Sequence, residues 1–105
     1  MHEIERILKE FKEKVQTLYG SRLKTILLYG SWARGDAGRD SDIDVAVVLK
    51  GDVAPGREID KMIDTITEIN MKYNVLLSVY PVSETTYNTV KSPLLLNIQR
   101  EGMPL

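Results

Sequence analysis

The stretch of this sequence best suited to chemistry is the polar segment from Gly30 to Asp44, which lies between two apolar segments. Asp42 and Asp44 are two residues apart, and side chains at that spacing on a strand project from the same face. Two carboxylates held this close repel each other, and a divalent cation between them removes the repulsion. Mg²⁺ prefers oxygen ligands and commonly binds one or two carboxylates together with substrate phosphates. The pair therefore predicts a site for Mg²⁺ and a nucleotide, with Asp42 and Asp44 as catalytic metal ligands.

Phosphate-binding groups are predicted at the start of the same segment. A strand that ends in Gly30-Ser31 before a turn or short helix offers backbone N–H groups and a hydroxyl to a phosphate. Arg34 adds a forked cation whose geometry suits phosphate oxygens and which can neutralise charge on a leaving pyrophosphate. Nucleotidyl transfer needs chiefly positioning and charge stabilisation, so these few groups provide most of what it requires. We expect them to bind the triphosphate of a nucleoside triphosphate such as ATP.

Each part of this pattern also has a purely structural interpretation. Gly-Ser is a common turn at the end of a strand, and two nearby aspartates can simply be a solvated strand end. The functional interpretation gains its support from the combination, in which a strand precedes Gly30 and an apolar strand follows Asp44.

The elements that must position these residues form a small α/β or α+β fold, with a mixed β-sheet flanked by helices. Apolar residues at helical spacing predict the helices, and short β-branched runs predict the strands. The segment between the two parts of the site is polar and rich in glycine, which favours a loop or a short irregular helix. The predicted helices cover residues 3–19, 57–73, 83–91 and 93–100, the predicted strands cover 25–29, 42–49 and 75–82, and a short last strand is possible at 103–105.

Composition narrows the class of protein. With 105 residues, 43% of them apolar, the chain is expected to form one domain over 1–105. A formal charge of −1 lacks the basic excess typical of nucleic-acid binding, so no direct nucleic-acid contact is expected. The absence of cysteine excludes disulfides and thiol-based zinc sites. No apolar run is long enough for a membrane span and the first residues are charged, so we predict a cytoplasmic protein without a membrane partner.

The site residues resemble a known signature. Gly30-Ser31, ten further residues and then Asp42-X-Asp44 is similar to the motif of the minimal nucleotidyltransferases of the polymerase-β superfamily, including Ala-Arg-Gly after Ser31 and Ser41 before the first aspartate. The resemblance implies a polymerase-β-like fold, with Ser31 and Ser41 among the nucleotide-binding residues and Mg²⁺ on the two aspartates. Members commonly act as antitoxins beside a HEPN-domain ribonuclease and transfer AMP from ATP to a tyrosine of that toxin. A hetero-oligomer with a HEPN toxin is therefore the expected partnership.

One departure from this family pattern leaves the activity open. Active members usually carry a third carboxylate on the strand after the second long helix, where it completes the metal site and can accept a proton. Residues 74–80 contain no acid, and the nearest is Glu84. Ser78 could bind a metal-held water, or it could be an ordinary strand hydroxyl. The alternatives are an adenylyltransferase, an inactive antitoxin that neutralises its partner by binding, and a homodimer that modifies a small molecule.

Overall fold

The computed structural model describes residues 2–105, which form a four-stranded mixed sheet with helices on both faces. This architecture confirms the predicted fold class. The elements follow one another as α1 (His2–Tyr19), a 3₁₀ turn (Gly20–Arg22), β1 (Leu23–Tyr29), α2 (Ser31–Arg34), β2 (Ile43–Leu49), α3 (Pro55–Tyr73), β3 (Leu77–Ser83), α4 (Glu84–Thr89), α5 (Pro93–Glu101) and β4 (Met103–Pro104).

The sheet has the strand order β3-β2-β1-β4, with β1 antiparallel to both of its neighbours and β2 parallel to β3. The parallel pair is connected through α3, as parallel strands require a crossover. In this register Tyr29 lies opposite Asp44, and Asp44 lies beside Ser78. The start of β2 is therefore bordered by the end of β1 and the start of β3.

The sheet separates two hydrophobic clusters. Helices α1 and α3 cover one face, where Phe11, Val45 and Met62 are completely buried. Helix α5 packs on the other face through Leu95 and Ile98. Because side chains alternate along β2 and Val45 points to the α1/α3 side, Asp44 belongs to the face that carries α5. At its start, β2 therefore carries the Asp44 carboxylate on the α5 side and the apolar side chains of Ile43 and Val45 on the α1/α3 side.

Local chemistry explains where the helices begin and end. Ser83 caps α4 by accepting a hydrogen bond from the Thr86 N–H. The long helix α3 begins at Pro55, two residues earlier than predicted, because proline at the first helical position has no N–H that would need a partner. It ends at Tyr73 and is followed by Asn74, which adopts the left-handed conformation that asparagine tolerates. Within residues 2–105, no helix combines the length and apolar character that crossing a membrane would require.

Candidate active site

Gly30 brings the predicted phosphate-binding turn into direct contact with the predicted metal ligand. It is buried and has φ 75° and ψ −156°, a backbone conformation open almost only to glycine. A Cβ at this position would overlap Asp44 Oδ2 and lie 3.2 Å from Asp44 Cγ. The glycine is thus needed both for its backbone conformation and for close packing, and the turn and the carboxylate form one site.

Ser31 is the first residue of α2, a helix of only four residues. Gly30 precedes it as the N-cap and provides no side-chain cap, so the first N–H groups of the helix are not satisfied by a capping side chain. Ser31 is half-buried. Ser31 therefore directly follows the glycine that packs against Asp44, and phosphate binding by its hydroxyl and by the first N–H groups of α2 stays a prediction.

The two aspartates differ in their surroundings. Asp44 is half-buried near the start of β2, whereas Asp42 is exposed and lies just before the strand, which begins at Ile43. Burial raises the pKa of Asp44, repulsion by the Asp42 carboxylate raises it further, and the charge of Arg34 opposes both effects. The pair is thus a destabilised concentration of negative charge, and a cation would stabilise it.

Arg34 is held by acidic groups on two sides. Its Nε donates to Asp36 Oδ2 at 3.3 Å, and its Nη1 donates to Glu101 Oε1 at 3.2 Å. Glu101 Oε1 also accepts a hydrogen bond of 2.9 Å from the Gly30 N–H. Repulsion by Glu101 contributes to the raised pKa of Asp44, so this third carboxylate lies within electrostatic reach of the aspartates.

Sequence reasoning missed Glu101. It is the last residue of α5 and lies 71 positions from Gly30, so no spacing within the local motif could indicate it. The available indication was weak: a carboxylate next to Gly102, at the end of a predicted helix. Glu101 lies on α5 and is not an acid of β3. In the described chain, no group of three or more Asp, Glu or His side chains converges to hold a metal ion, so Glu101 does not complete a metal site with Asp42 and Asp44.

Ser41 has a structural role in the loop between the two halves of the site. Its hydroxyl oxygen accepts a hydrogen bond from the Gly38 N–H at 2.8 Å, and its carbonyl accepts one from the Trp32 indole at 3.3 Å. These bonds fold the loop back onto α2. A contact between Ser41 and a nucleotide stays a prediction.

A cavity of about 280 Å³ opens beside Asp42. Its lining combines the aromatic ring of Trp32 with the guanidinium of Arg39 and the polar side chain of Asn74. Aromatic and polar groups together suit a flat heterocycle or a phenol better than a purely apolar ligand.

Hydroxyl groups surround Asp44 on its face of the sheet. Tyr29 lies opposite it on β1, and Ser78 lies beside it on β3, where its side chain is exposed. Burial raises the pKa of Tyr29 to about 12, with smaller contributions from Asp44 and Tyr80. The residue of β3 beside Asp44 is therefore a serine and not a carboxylate.

The carboxylate ligands available here fit Mg²⁺ bound together with a nucleotide better than Mg²⁺ alone. Asp42 and Asp44 supply two carboxylates, and an octahedral ion needs further oxygen ligands that substrate phosphates and water can provide. Burial and the neighbouring Asp42 carboxylate raise the pKa of Asp44, and a cation bound between the two carboxylates would offset their repulsion. In the described residues the structure offers two carboxylate ligands at this point and not a closed protein cage.

Comparisons with known proteins agree with this fold and motif. The nucleotidyltransferase domain family matches residues 4–101. A Methanocaldococcus jannaschii protein named as a candidate protein adenylyltransferase is 39% identical over 102 residues, which cover 96% of each chain. A second protein of that organism with the same kind of name is 37% identical over 101 residues, covering 96% of this chain and 97% of the relative. The chain therefore belongs to the nucleotidyltransferase domain family.

Solved structures share the fold at low sequence identity. A toxin-antitoxin structure with AMP-PNP superposes with a TM-score of 0.63 at 18% identity, covering 90% of this chain and 68% of the other. A candidate nucleotidyltransferase from Sulfolobus solfataricus gives a TM-score of 0.52 at 24% identity, covering 94% and 76%. These similarities establish the fold.

Proposed function

We propose that this chain is an antitoxin that transfers AMP from Mg·ATP to a hydroxyl, most suitably a tyrosine, of a HEPN-domain toxin. The observation that carries the proposal is the packing of Gly30 against Asp44, which joins a phosphate-binding turn to a carboxylate pair in one site. The names of the archaeal relatives, which are those of protein adenylyltransferases, support this chemistry. The toxin-antitoxin neighbours support the partner class.

Each residue of the site has a separate role in the proposed reaction. Ser31 and the first N–H groups of α2 bind the terminal phosphates, and Arg34 offsets the charge that develops on the leaving pyrophosphate. Asp42 and Asp44 would hold Mg²⁺, which when bound supplies charge neutralisation to the phosphates. The acceptor oxygen forms a bond to the α-phosphorus while the bond from that phosphorus to the bridging oxygen breaks, so pyrophosphate leaves with its electron pair. The acceptor proton passes to water.

A tyrosine acceptor fits a site that lacks an acid on β3. Ser78 occupies the position beside Asp44, and a serine hydroxyl is a poor base at neutral pH. The phenol of tyrosine has a pKa of ~10, well below that of an aliphatic hydroxyl, so its proton is lost more easily without a dedicated base. In this proposal the acceptor tyrosine belongs to a second molecule, the toxin.

The experiment is co-expression of this chain with the product of the adjacent gene, followed by intact-mass measurement of that product. We expect one or more AMP additions with the wild type and none with the Asp42→Asn, Asp44→Asn double variant. Ser78→Asp is the informative companion, since an added base can increase the rate by roughly 10²–10⁴-fold. Unmodified partner in the presence of the wild type would refute the enzyme.

The second candidate function is neutralisation by binding alone. The neutral Ser78 next to Asp44 favours it, because the third acid of active family members is missing there. If the partner is neutralised equally by the wild type and the double aspartate variant, with no mass gain in either case, the binding function is the correct one.

A further inference from the structure

The side chain of Glu101 links the last helix to the phosphate-binding turn. One of its oxygens accepts hydrogen bonds from both the Gly30 N–H and Arg34 Nη1, at 2.9 and 3.2 Å. The Glu101 side chain is only 16% exposed, whereas that of Arg34 is 47% exposed. A charged pair with one largely buried partner is screened less by water than a surface pair, so this contact is stronger than an ordinary surface ion pair.

The fold fixes the position of Glu101. Ile98, one turn earlier on α5, is completely buried against the sheet. Gly102 follows, and a Cβ there would overlap the Ile98 carbonyl oxygen, so the chain packs closely against the end of α5 at this point. Strand β4 then pairs with β1, and the Leu105 N–H donates to the Ile26 carbonyl. The carboxylate is therefore held in place from both sides along the chain.

The hydrogen bonds of Arg34 leave the Nη2 group of its guanidinium available. Nε donates to Asp36 and Nη1 donates to Glu101. In the part of the chain that the structure describes, no acceptor takes a hydrogen bond from Nη2. The guanidinium is planar and rigid, so holding Nε and Nη1 fixes the direction of the Nη2 N–H groups. The charge of Arg34 also acts on Asp44, which places the guanidinium beside the candidate active site.

We propose that Glu101 is a positioning residue that holds Arg34 with its Nη2 N–H groups available to the triphosphate. Glu101 acts through Arg34 and does not itself touch the nucleotide or the metal ion. The inference rests on the proposed function only in taking the ligand of Arg34 to be a nucleoside triphosphate.

A competing role for Glu101 makes the opposite prediction. Its carboxylate occupies the Gly30 N–H, a group that a phosphate could otherwise use, and its negative charge repels an anionic ligand. If Glu101 were mainly a competitor, its removal would strengthen nucleotide binding. If it positions Arg34, its removal weakens binding, and the loss requires Arg34 to be present.

The test is a double-mutant cycle of Glu101→Ala and Arg34→Ala, with the dissociation constant of Mg·ATP measured by calorimetry. We expect Glu101→Ala to raise that constant roughly tenfold, the effect of losing one charge-assisted hydrogen bond. In the Arg34→Ala background we expect the same change to have less than about a twofold effect. Glu84→Ala is the matched control, because Glu84 is also a helical glutamate paired with a cation, Lys24, at 3.6 Å.

A measurement without nucleotide tests the contact between Glu101 and Arg34 independently of catalysis and of folding defects. In ¹⁵N-labelled protein, the Arg34 Nη protons should give resolved resonances in the wild type and averaged ones in Glu101→Ala. Glu101→Gln keeps the shape and an acceptor for the Gly30 N–H, so it should preserve thermal stability while losing part of the affinity. These two results would support positioning over a structural role.

Three outcomes would overturn the inference: unchanged Arg34 resonances in Glu101→Ala, tighter Mg·ATP binding in that variant, or an equal loss with and without Arg34. Absence of Mg·ATP binding by the wild type would also overturn it. If no partner receives AMP while the double-mutant cycle still shows coupling between Glu101 and Arg34, the proposed transferase function is wrong and the positioning role of Glu101 stands.

Discussion

Replacing Gly30 by alanine tests whether the close packing of the turn against Asp44 defines the site. The backbone at Gly30 has φ 75° and ψ −156°, and holding a residue with a side chain there costs about 1–3 kcal/mol. The added Cβ also overlaps Asp44 Oδ2, and such overpacking costs about 1–3 kcal/mol more. The total loss is roughly 2–6 kcal/mol, and we expect a value near the lower end because Asp44 is only half-buried and its carboxylate can rotate away.

A matched control separates backbone strain from steric overlap. Gly51 has φ 80°, and a Cβ there would meet nothing within 4 Å. Gly51→Ala should therefore cost only the conformational part, about 1–2 kcal/mol, and should leave nucleotide binding unchanged. Introducing Gly30→Ala into an Asp44→Ala background should likewise remove the steric part, which gives a coupling energy between the two sites of about 1–3 kcal/mol.

The assays are urea unfolding for stability and calorimetry for Mg·ATP binding. The stability of small domains is typically ~5–15 kcal/mol, so we expect Gly30→Ala to remain folded in the absence of urea while its nucleotide binding is lost. If Gly30→Ala were as stable as Gly51→Ala and bound Mg·ATP like the wild type, the packing of Gly30 against Asp44 would not be what joins the site.

Three further predictions concern the framework of the fold. Tyr19→Phe removes the hydrogen bond of 2.9 Å to Glu58, which is 2% exposed, and should lower the free energy of unfolding by about 1–3 kcal/mol in urea titrations; equal midpoints would contradict this. Gly102→Ala should cost about 1–3 kcal/mol by overpacking, seen as a lower melting temperature, and no change would mean that the turn after α5 can relax. Hydrogen bonds from Lys72 and from a tyrosine lower the pKa of Glu10 below 4.5, so this stabilisation is present above about pH 4.5 and is lost as the pH falls through the folded pKa. Glu10→Gln should therefore unfold more easily than the wild type at neutral pH and match it in acid, whereas a difference independent of pH would contradict the pairing.

The regular elements were largely predictable from the sequence, because hydrophobic spacing is a local property. Helix α1 and strand β1 were located within two residues of their ends, and the predicted helix over 93–100 stops one residue before the observed end of α5 at Glu101. The start of α3 was predicted too late, since Pro55-Gly56 has the composition of a turn although proline also suits the first position of a helix.

The site residues that belong to one local motif could be predicted from the sequence, whereas the residues that tertiary folding brings to the site could not. Ser31 and Asp44 could be predicted to share a site because both belong to one short motif with strands on either side. The position of Ser78 beside Asp44 depends on the parallel register of β2 and β3, and the contact of Glu101 depends on how α5 packs. Neither follows from periodicity, since long-range register is set by the whole core.

The link between Glu101 and Gly30 has a consequence for local unfolding. It joins residues 71 positions apart, and it is held by a nine-residue helix and a two-residue strand at the edge of the sheet. Short elements at the edge of a domain open at a lower free energy than its core strands. Fraying of α5 and β4 would release Arg34 while the central strands stay protected. Amide hydrogen exchange should therefore show the phosphate-binding turn opening together with the C-terminal elements, earlier than the strands that carry Asp44 and Ser78.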